Sequence, residues 1–375
     1  MAAVSAWGAW WVGSSWAVSG LSWHFFADGS HELFHVDGLS LYARHPELQV
    51  GPLSLVVAGL VEILPGDASR NVALAAMALT GPALLALLAT EVPERRRLLR
   101  VLVAGVVLLP AWTVLAVRWG HLDDVLATAL GVGAVVAVCR RRPVLAGLAL
   151  GAAVAAKPWA VGFLPLLLAL PGLRLRAAAA ALVTAAAAWL PFVLGDPGTL
   201  AALHPRVALV PGSGLHTLGV RGRLVPPWGR TVQLVLAPAA ALAVALGRRW
   251  PGVMLVAVAV RLALDPQDNA YFIGSAAVAA VVFDLLGTRW LVPWTTLLTV
   301  GLLWQPFVQD YPHRLTTTTG LTHWWFAHPE SVGWLHLAWA GLVVAIVALT
   351  PARSGSSVAS RTEGRRPEGR PAQAG

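Results

Sequence analysis

Long apolar segments closed by short arginine clusters recur along this chain. The segments fall at 4–22, 50–64, 72–90, 98–117, 125–139, 144–156, 158–170, 177–194, 231–247, 251–264, 271–286, 290–304 and 332–349. Between them stand Arg95-Arg96-Arg97 with Arg100, Arg140-Arg141-Arg142, Arg174 with Arg176, Arg248-Arg249, Arg289, and the arginines after Pro351. A helix of about 20 apolar residues spans a hydrocarbon core about 30 Å thick. Lipid cannot satisfy backbone polar groups, so spanning segments of this kind must be helical. The pattern reads as an all-α polytopic membrane protein. Composition agrees: 57% of the 375 residues are hydrophobic and 12% charged, against about 25% charged in soluble domains. Mean hydropathy is +0.69.

The net charge of +9 lies in the short loops. That is the positive-inside pattern of a multi-pass cell-membrane protein, and it calls for no nucleic acid. Cys139 is the single cysteine, so no disulfide forms within the chain. Residues 1–22 contain no Lys or Arg, so the basic start of a signal peptide is missing and the segment reads as a retained first helix.

Charge parity shapes the topology. Arg140–Arg142 and Arg174 with Arg176 both belong on the cytoplasmic side, with an apolar stretch and one lysine between them. Two legs of about 13 residues reach only about 20 Å each. A hairpin of two short helices is expected, with Lys157-Pro158 at its tip. Irregular backbone at that depth is buried in protein or lines a wet cavity. Parity also keeps 50–64 from crossing, so it reads as a juxtamembrane or re-entrant helix. About twelve transmembrane helices follow, with both termini cytoplasmic. Residues 1–350 form the membrane domain, and 351–375 read as a disordered cytoplasmic tail.

This topology gathers the polar inventory on the outer face. All eleven histidines fall there: His24, His31, His35, His45, His121, His204, His216, His313, His323, His328 and His336. In the first outer loop Asp37 follows His35 and precedes Tyr42, His45 and Glu47. A partly desolvated carboxylate there can act as a general base; the alternative is a solvated loop acid. The spacing of His31, His35, Asp37, His45 and Glu47 matches no compact metal-ligand pattern, so no metal is expected. His121, Asp123 and Asp124 open an outer helix end, where acids also serve as simple helix-terminus charges. Lys157 is the only lysine. It either binds an anion such as a phosphate or snorkels to the interface. Arg261 stands four residues before Asp265, as a structural ion pair or as a phosphate holder in a site with Asp265, Asp268, Asn269 and Tyr271. Walker, HExxH, GxSxG and CxxC signatures are absent. No cofactor is expected, and an activated substrate would arrive from the membrane.

Three passages resemble the GT-C membrane glycosyltransferases, in particular glycosyltransferase family 87, the polyprenyl-phosphate-mannose-dependent mannosyltransferases of actinobacteria. They are DGLSLYARHPELQVGPLSL, the stretch from RWGHLDD through GAAVAAKPWAVG to the next basic loop, and DPQDNAYFIG. His121 stands where that family has Gln, Tyr271 where it has a later His, and Val50-Gly51-Pro52 where Tyr-Pro-Pro is common. The resemblance implies a GT-C-like fold with extracytoplasmic loops and inverting hexosyl transfer, of mannose in that family. The donor would be a polyprenyl-phosphate sugar and the acceptor a lipid or glycan hydroxyl. It also implies that Asp37 is the base and that Lys157 and Arg261 steady the donor phosphate. The rival readings are a lipid or solute transporter or flippase and a non-catalytic membrane subunit. Transporters often pair broken helices across two repeats, and only one break, at 157–158, is legible here.

Overall fold

The computed structural model of the chain describes residues 2–203, 207–308 and 320–352. His204, His313 and the expected tail from residue 353 onward lie outside these residues. The described chain is helical, with one isolated bridge between Ala208 and Leu224. Helix α1 (Ala2–Trp16) leads to three short helices, α2 (Trp23–Leu33), α3 (Leu41–Arg44) and α4 (Pro52–Val61). Then come α5 (Asp67–Ala89), α6 (Glu94–Thr113) with a π-helical extension over Val114–Trp119, α7 (Leu122–Cys139) and α8 (Pro143–Ala156). A 3₁₀ segment over Pro158–Ala169 precedes α9 (Arg174–Gly195), α10 (Gly214–Thr217), α11 (Pro227–Leu246) and α12 (Val253–Ala263). The last elements are α13 (Phe272–Val282), α14 (Trp294–Val308), α15 (Gly320–Ala327) and α16 (Pro329–Leu349).

Six helices among the described residues are long and apolar enough to cross a membrane: α5, α6 with its extension, α7, α9, α11 and α16. The chain is thus a helical membrane protein. Helix α4 has 10 residues and rises about 15 Å, too little to cross. Helix α7 belongs to the centre, with 72% of its apolar window buried inside the protein, whereas α9 is peripheral with 17%. Helix α13 packs with both α7 and α12, and α12 and α13 are buried along nearly their whole lengths. A hydrogen bond of 2.9 Å between Thr128 and Ser275 ties α7 to α13. Lipid offers no hydrophobic incentive for helix association, so close packing of small residues and such polar ties do the work.

The α8–α9 pair settles how the chain runs between the two arginine clusters. Gly147 and Gly151 of α8 lie against Ala177 and Ala181 of α9. The order of these contacts makes the helices parallel, with Arg142 and Arg174 at the same end. The intervening 3₁₀ segment runs back between them, which makes a hairpin with its turn at Lys157. The second leg is a 3₁₀ helix rather than the α-helix expected from sequence. Pro158 stands at its first position, where a helix leaves the N–H unused, and Pro165 lies inside it and removes an N–H that an α-helix would use.

The hairpin tip is held by the first loop. Helix α8 ends at Lys157, whose backbone is extended, with φ −151° and ψ 119°. The Ala156 carbonyl, freed at that end, accepts from Gly51 N at 2.9 Å and from Ser54 Oγ at 3.1 Å. A Cβ at position 51 would collide with the Ala155 and Ala156 carbonyls. Glycine there lets α4 begin directly against the break.

The molecule has two chemically distinct ends. At one, Arg140 Nε bonds Glu91 at 2.8 Å and Arg249 Nε bonds the Thr350 carbonyl at 2.7 Å. Buried Arg100 donates to the carbonyl of Asp284. At the other end are the start of α7, Lys157, the 264–271 loop and the first loop.

Candidate functional site

The α6–α7 junction positions the centre of the site. Gly120 adopts φ +62°, a left-handed conformation that favours glycine. It stops the preceding helix and sets His121 as the residue before α7. Asp123 and Asp124 then lie in the first turn of α7, both fully buried. Their carboxylates serve partners beyond the helix terminus. His121 Nδ1 is 2.6 Å from Asp123 Oδ1 and 3.1 Å from Asp124 Oδ2. Lys157 Nζ ion-pairs with Asp123 Oδ2 and lies 3.2 Å from Asp124 Oδ2. Trp159 Nε1 donates to Asp124 Oδ1 at 2.9 Å. Two carboxylates in one dry place repel each other, and these cations and donors make the arrangement tolerable.

Arg261 adds a different kind of group. Its guanidinium lies between the rings of Trp159 and Phe272, 4.5 Å from each centroid. Cation–π contact with two rings restrains the group. Asp124 Oδ1 and Asp265 Oδ2 are each 3.8 Å away, beyond hydrogen-bond length. The side chain is buried, and Nε and Nη1 make no hydrogen bond among the described residues. Buried charged donors without acceptors are costly and rare. Asp265 turns instead to Gln233 Nε2, at 3.0 Å.

These groups face a cavity of 460 Å³. His121, Lys157, Trp159, Arg261, Asp265, Asn269 and Tyr271 line its inner wall. Arg230 joins them and donates to Gln49 of the first loop and Gln233 of α11. Asp28, Glu32, His45 and Glu47 line the side contributed by the first loop. His45 Nδ1 lies 3.2 Å from Glu47, and Glu32 lies 3.7 Å from Arg44. The exposed Asp28 side chain makes no hydrogen bond or ion pair among the described residues. The cavity thus has a desolvated floor of paired cations and carboxylates, with further carboxylates on its opposite side.

Several residues singled out from sequence converge here: His45, Glu47, His121, Lys157, Arg261, Asp265, Asn269 and Tyr271 line the cavity. Asp123 and Asp124 sit directly behind His121 and Lys157. Others are elsewhere. Asp37 is exposed and lies outside the cavity lining, its backbone carbonyl accepting from Arg44 at 3.0 Å. His35 is also exposed. Tyr42 is fully buried against Trp189 and Phe192 and donates to the Val50 carbonyl at 2.9 Å. Asp268 lies beside Gly212, outside the cavity lining. Sequence reasoning missed Asp28, Glu32, Arg230 and Trp159. For Asp28 a signal existed: in WHFFADGSHEL the buried Trp23, Phe26, Gly29 and Ser30 follow helical spacing, and Asp28 falls off that face.

The electrostatics at the cavity wall follow from the contacts. Burial works against a charged His121, and the adjacent Asp123 carboxylate works for it; Lys157 opposes, and hydrogen bonds that the ring donates to Asp123 and Asp124 add support. The net result is a pKa above the ordinary histidine value. Burial pushes the Tyr271 hydroxyl well above its ordinary value, so it stays a neutral donor.

Among the described residues, His121, Asp123 and Asp124 are the one group whose possible ligand atoms cluster, within 4.8 Å of one another. Lys157 already bonds both carboxylates from that side, and no metal is assigned to them. No protein-family model matches the chain, and no match was found among curated proteins or solved structures.

Proposed function

We infer that the chain is an inverting glycosyltransferase that uses a polyprenyl-phosphate sugar, with mannose as the leading hexose, and acts on a lipid or glycan hydroxyl. The observation that carries this reading is Arg261. A buried guanidinium packed against two rings, with two nitrogens that make no hydrogen bond among the described residues and a cavity that it lines, suits a phosphate oxyanion. Lys157 supports the same floor through Asp123 and Asp124. The reading takes the arginine-rich end as cytoplasmic, so the cavity opens to the outer leaflet. It also takes the fold as GT-C-like, with about twelve helices in the bundle once the shorter ones are counted and with both termini cytoplasmic.

In this reading the base is Asp28. It lines the cavity and its side chain has no competing partner among the described residues, whereas Asp37, exposed like Asp28, lies outside the cavity lining. The acceptor hydroxyl oxygen bonds to the anomeric carbon as the bond from that carbon to the phosphate oxygen breaks. The hydroxyl proton passes to Asp28, and the lipid phosphate leaves as a monoester with one more negative charge. Arg261 stabilises that charge in a site of low dielectric, where such a contact is strongest. No nucleotide or other cofactor enters the scheme. The test is to incubate purified protein with radiolabelled polyprenyl-phosphate-mannose and membrane glycolipid acceptors. A labelled glycolipid that disappears with Arg261→Ala supports the reading; no transfer to any lipid or glycan acceptor overturns it.

A further inference from the structure

The transfer scheme leaves His121 without a role. His121 is 13% exposed at its side chain, and its Nδ1 is taken by Asp123 and Asp124. The ring stacks on Tyr271, with centroids 3.8 Å apart, and meets the edge of Phe26 at 5.7 Å. This packing fixes the imidazole, and Nε2 is the nitrogen left for the cavity that His121 lines. A histidine donates from both nitrogens only when protonated.

Charge balance says when that form matters. Three cations, Lys157, Arg230 and Arg261, stand with three carboxylates, Asp123, Asp124 and Asp265. These six charges cancel at the floor, and Asp28, Glu32 and Glu47 add further carboxylates across the cavity, so no fixed cation is left over for an entering anion. A phosphodiester brings one further negative charge into a desolvated place, where an unbalanced charge is expensive. His121 is the titratable group placed to answer it. It and Arg261 both lie against Asp124, at 3.1 and 3.8 Å, and both line the cavity.

We propose that protonated His121 is a second ligand of the anionic phosphate, donating from Nε2, and that phosphodiester binding is therefore linked to uptake of a proton. The groups facing it are Asp123 and Asp124 from α7, Lys157 at the hairpin tip, Arg261 from α12 and Tyr271 before α13. Asp28 and Glu32 stand across the cavity on α2. The linkage rests on the lipid-phosphate reading above.

The experiment measures binding of farnesyl methyl phosphodiester to the full-length protein in detergent by calorimetry, from pH 5.5 to 9. This probe keeps a single negative charge throughout, so only the protein titrates. The dissociation constant rises with pH above the His121 pKa, with a limiting slope of about tenfold per pH unit for one linked proton. His121→Gln, which keeps a neutral donor, binds with a flat profile. A flat wild-type profile overturns the proposal, as does an unchanged slope in His121→Gln; the wild-type profile alone decides if the variant does not fold. Absence of diester binding at every pH overturns the lipid-phosphate reading itself, and the proposal with it. A short-chain phosphatidylglycerol measured in parallel separates two sources of the same diester. Tighter binding of the prenyl compound supports the donor reading. Binding of the glycerolipid alone overturns that reading and leaves the linkage to His121 standing.

Discussion

Lys157 Nζ lies 3.2 Å from Asp124 Oδ2, joining the tip of a broken hairpin to the first turn of the central helix α7. The same ammonium pairs with Asp123, so one lysine neutralises two buried acids that are adjacent in sequence. The pairing explains why the only lysine of the chain sits where a helix breaks. Extended backbone at Lys157 turns its side chain across to α7, and Pro158 begins the return leg. The cation–acid group is therefore part of the fold as well as part of the cavity floor.

Replacing Lys157 by Met should then destabilise the protein before it changes any chemistry. Asp123 and Asp124 would be left buried with an uncompensated charge, a change that costs about 3–5 kcal/mol. Thermal unfolding in detergent measures the loss. A double variant, Lys157→Met with Asp123→Asn, should recover much of it, since the orphaned charge is gone. A double variant no more stable than Lys157→Met alone would contradict the pairing as the cause.

Arg261→Lys tests the flat guanidinium. Lysine keeps the charge but cannot lie as a plane between Trp159 and Phe272, nor offer paired donors. Affinity for a prenyl phosphodiester should fall on the order of tenfold, about 1.4 kcal/mol. Trp159→Phe should fall less: it keeps an aromatic face but loses the bond to Asp124. Calorimetry on both variants ranks them, and equal binding by wild type and Arg261→Lys would remove the planar group from the phosphate site.

Much of the helical plan was legible because period, length and arginine placement are local signals. The hairpin at Lys157 followed from charge parity alone, and the parallel contact of Gly147 and Gly151 with α9 agrees with it. The 3₁₀ form of the return leg was not legible, although Pro165 disfavours an α-helix there. The convergence of His121, Lys157 and Arg261 was partly legible, since each interrupts an apolar run at the same expected end. Their mutual contacts were not, because they depend on how α7, α8 and α12 pack. The first loop was hardest. Asp28 and Asp37 are nine positions apart on one polar loop, and only the orientation of α2 distinguishes them. Tyr42 is a polar residue that the packing of α9 claims for the core.

Asp28→Asn and Asp37→Asn should separate cleanly. Removing a general base costs about 10²–10⁴-fold in rate. Asp28→Asn should lose glycosyl transfer by that factor while still binding the prenyl phosphodiester. Asp37→Asn should stay within about twofold of wild type, as expected for an exposed loop acid. Initial rates with a labelled lipid-linked donor give the comparison. The reverse order of effects would return the base to Asp37.

Asp268 provides a pH test independent of transfer. Burial raises its carboxyl pKa; a backbone hydrogen bond within the residue opposes the shift, and the negative charge of Asp265 adds to it. A group whose pKa is higher folded than unfolded holds its proton more tightly in the native state. Its contribution is fully present below the unfolded value and is lost as pH rises through the folded one. Asp268→Asn cannot ionise, so its stability lacks this component. Relative to wild type, the variant should therefore gain thermal stability as pH rises above the ordinary aspartate range, and the gain should vanish near the acid end. Unfolding midpoints of both proteins in detergent at pH 4.5 and pH 8.5 decide it. A variant less stable than wild type at the higher pH would mean that ionised Asp268 has a stabilising partner beside Gly212 that outweighs its burial.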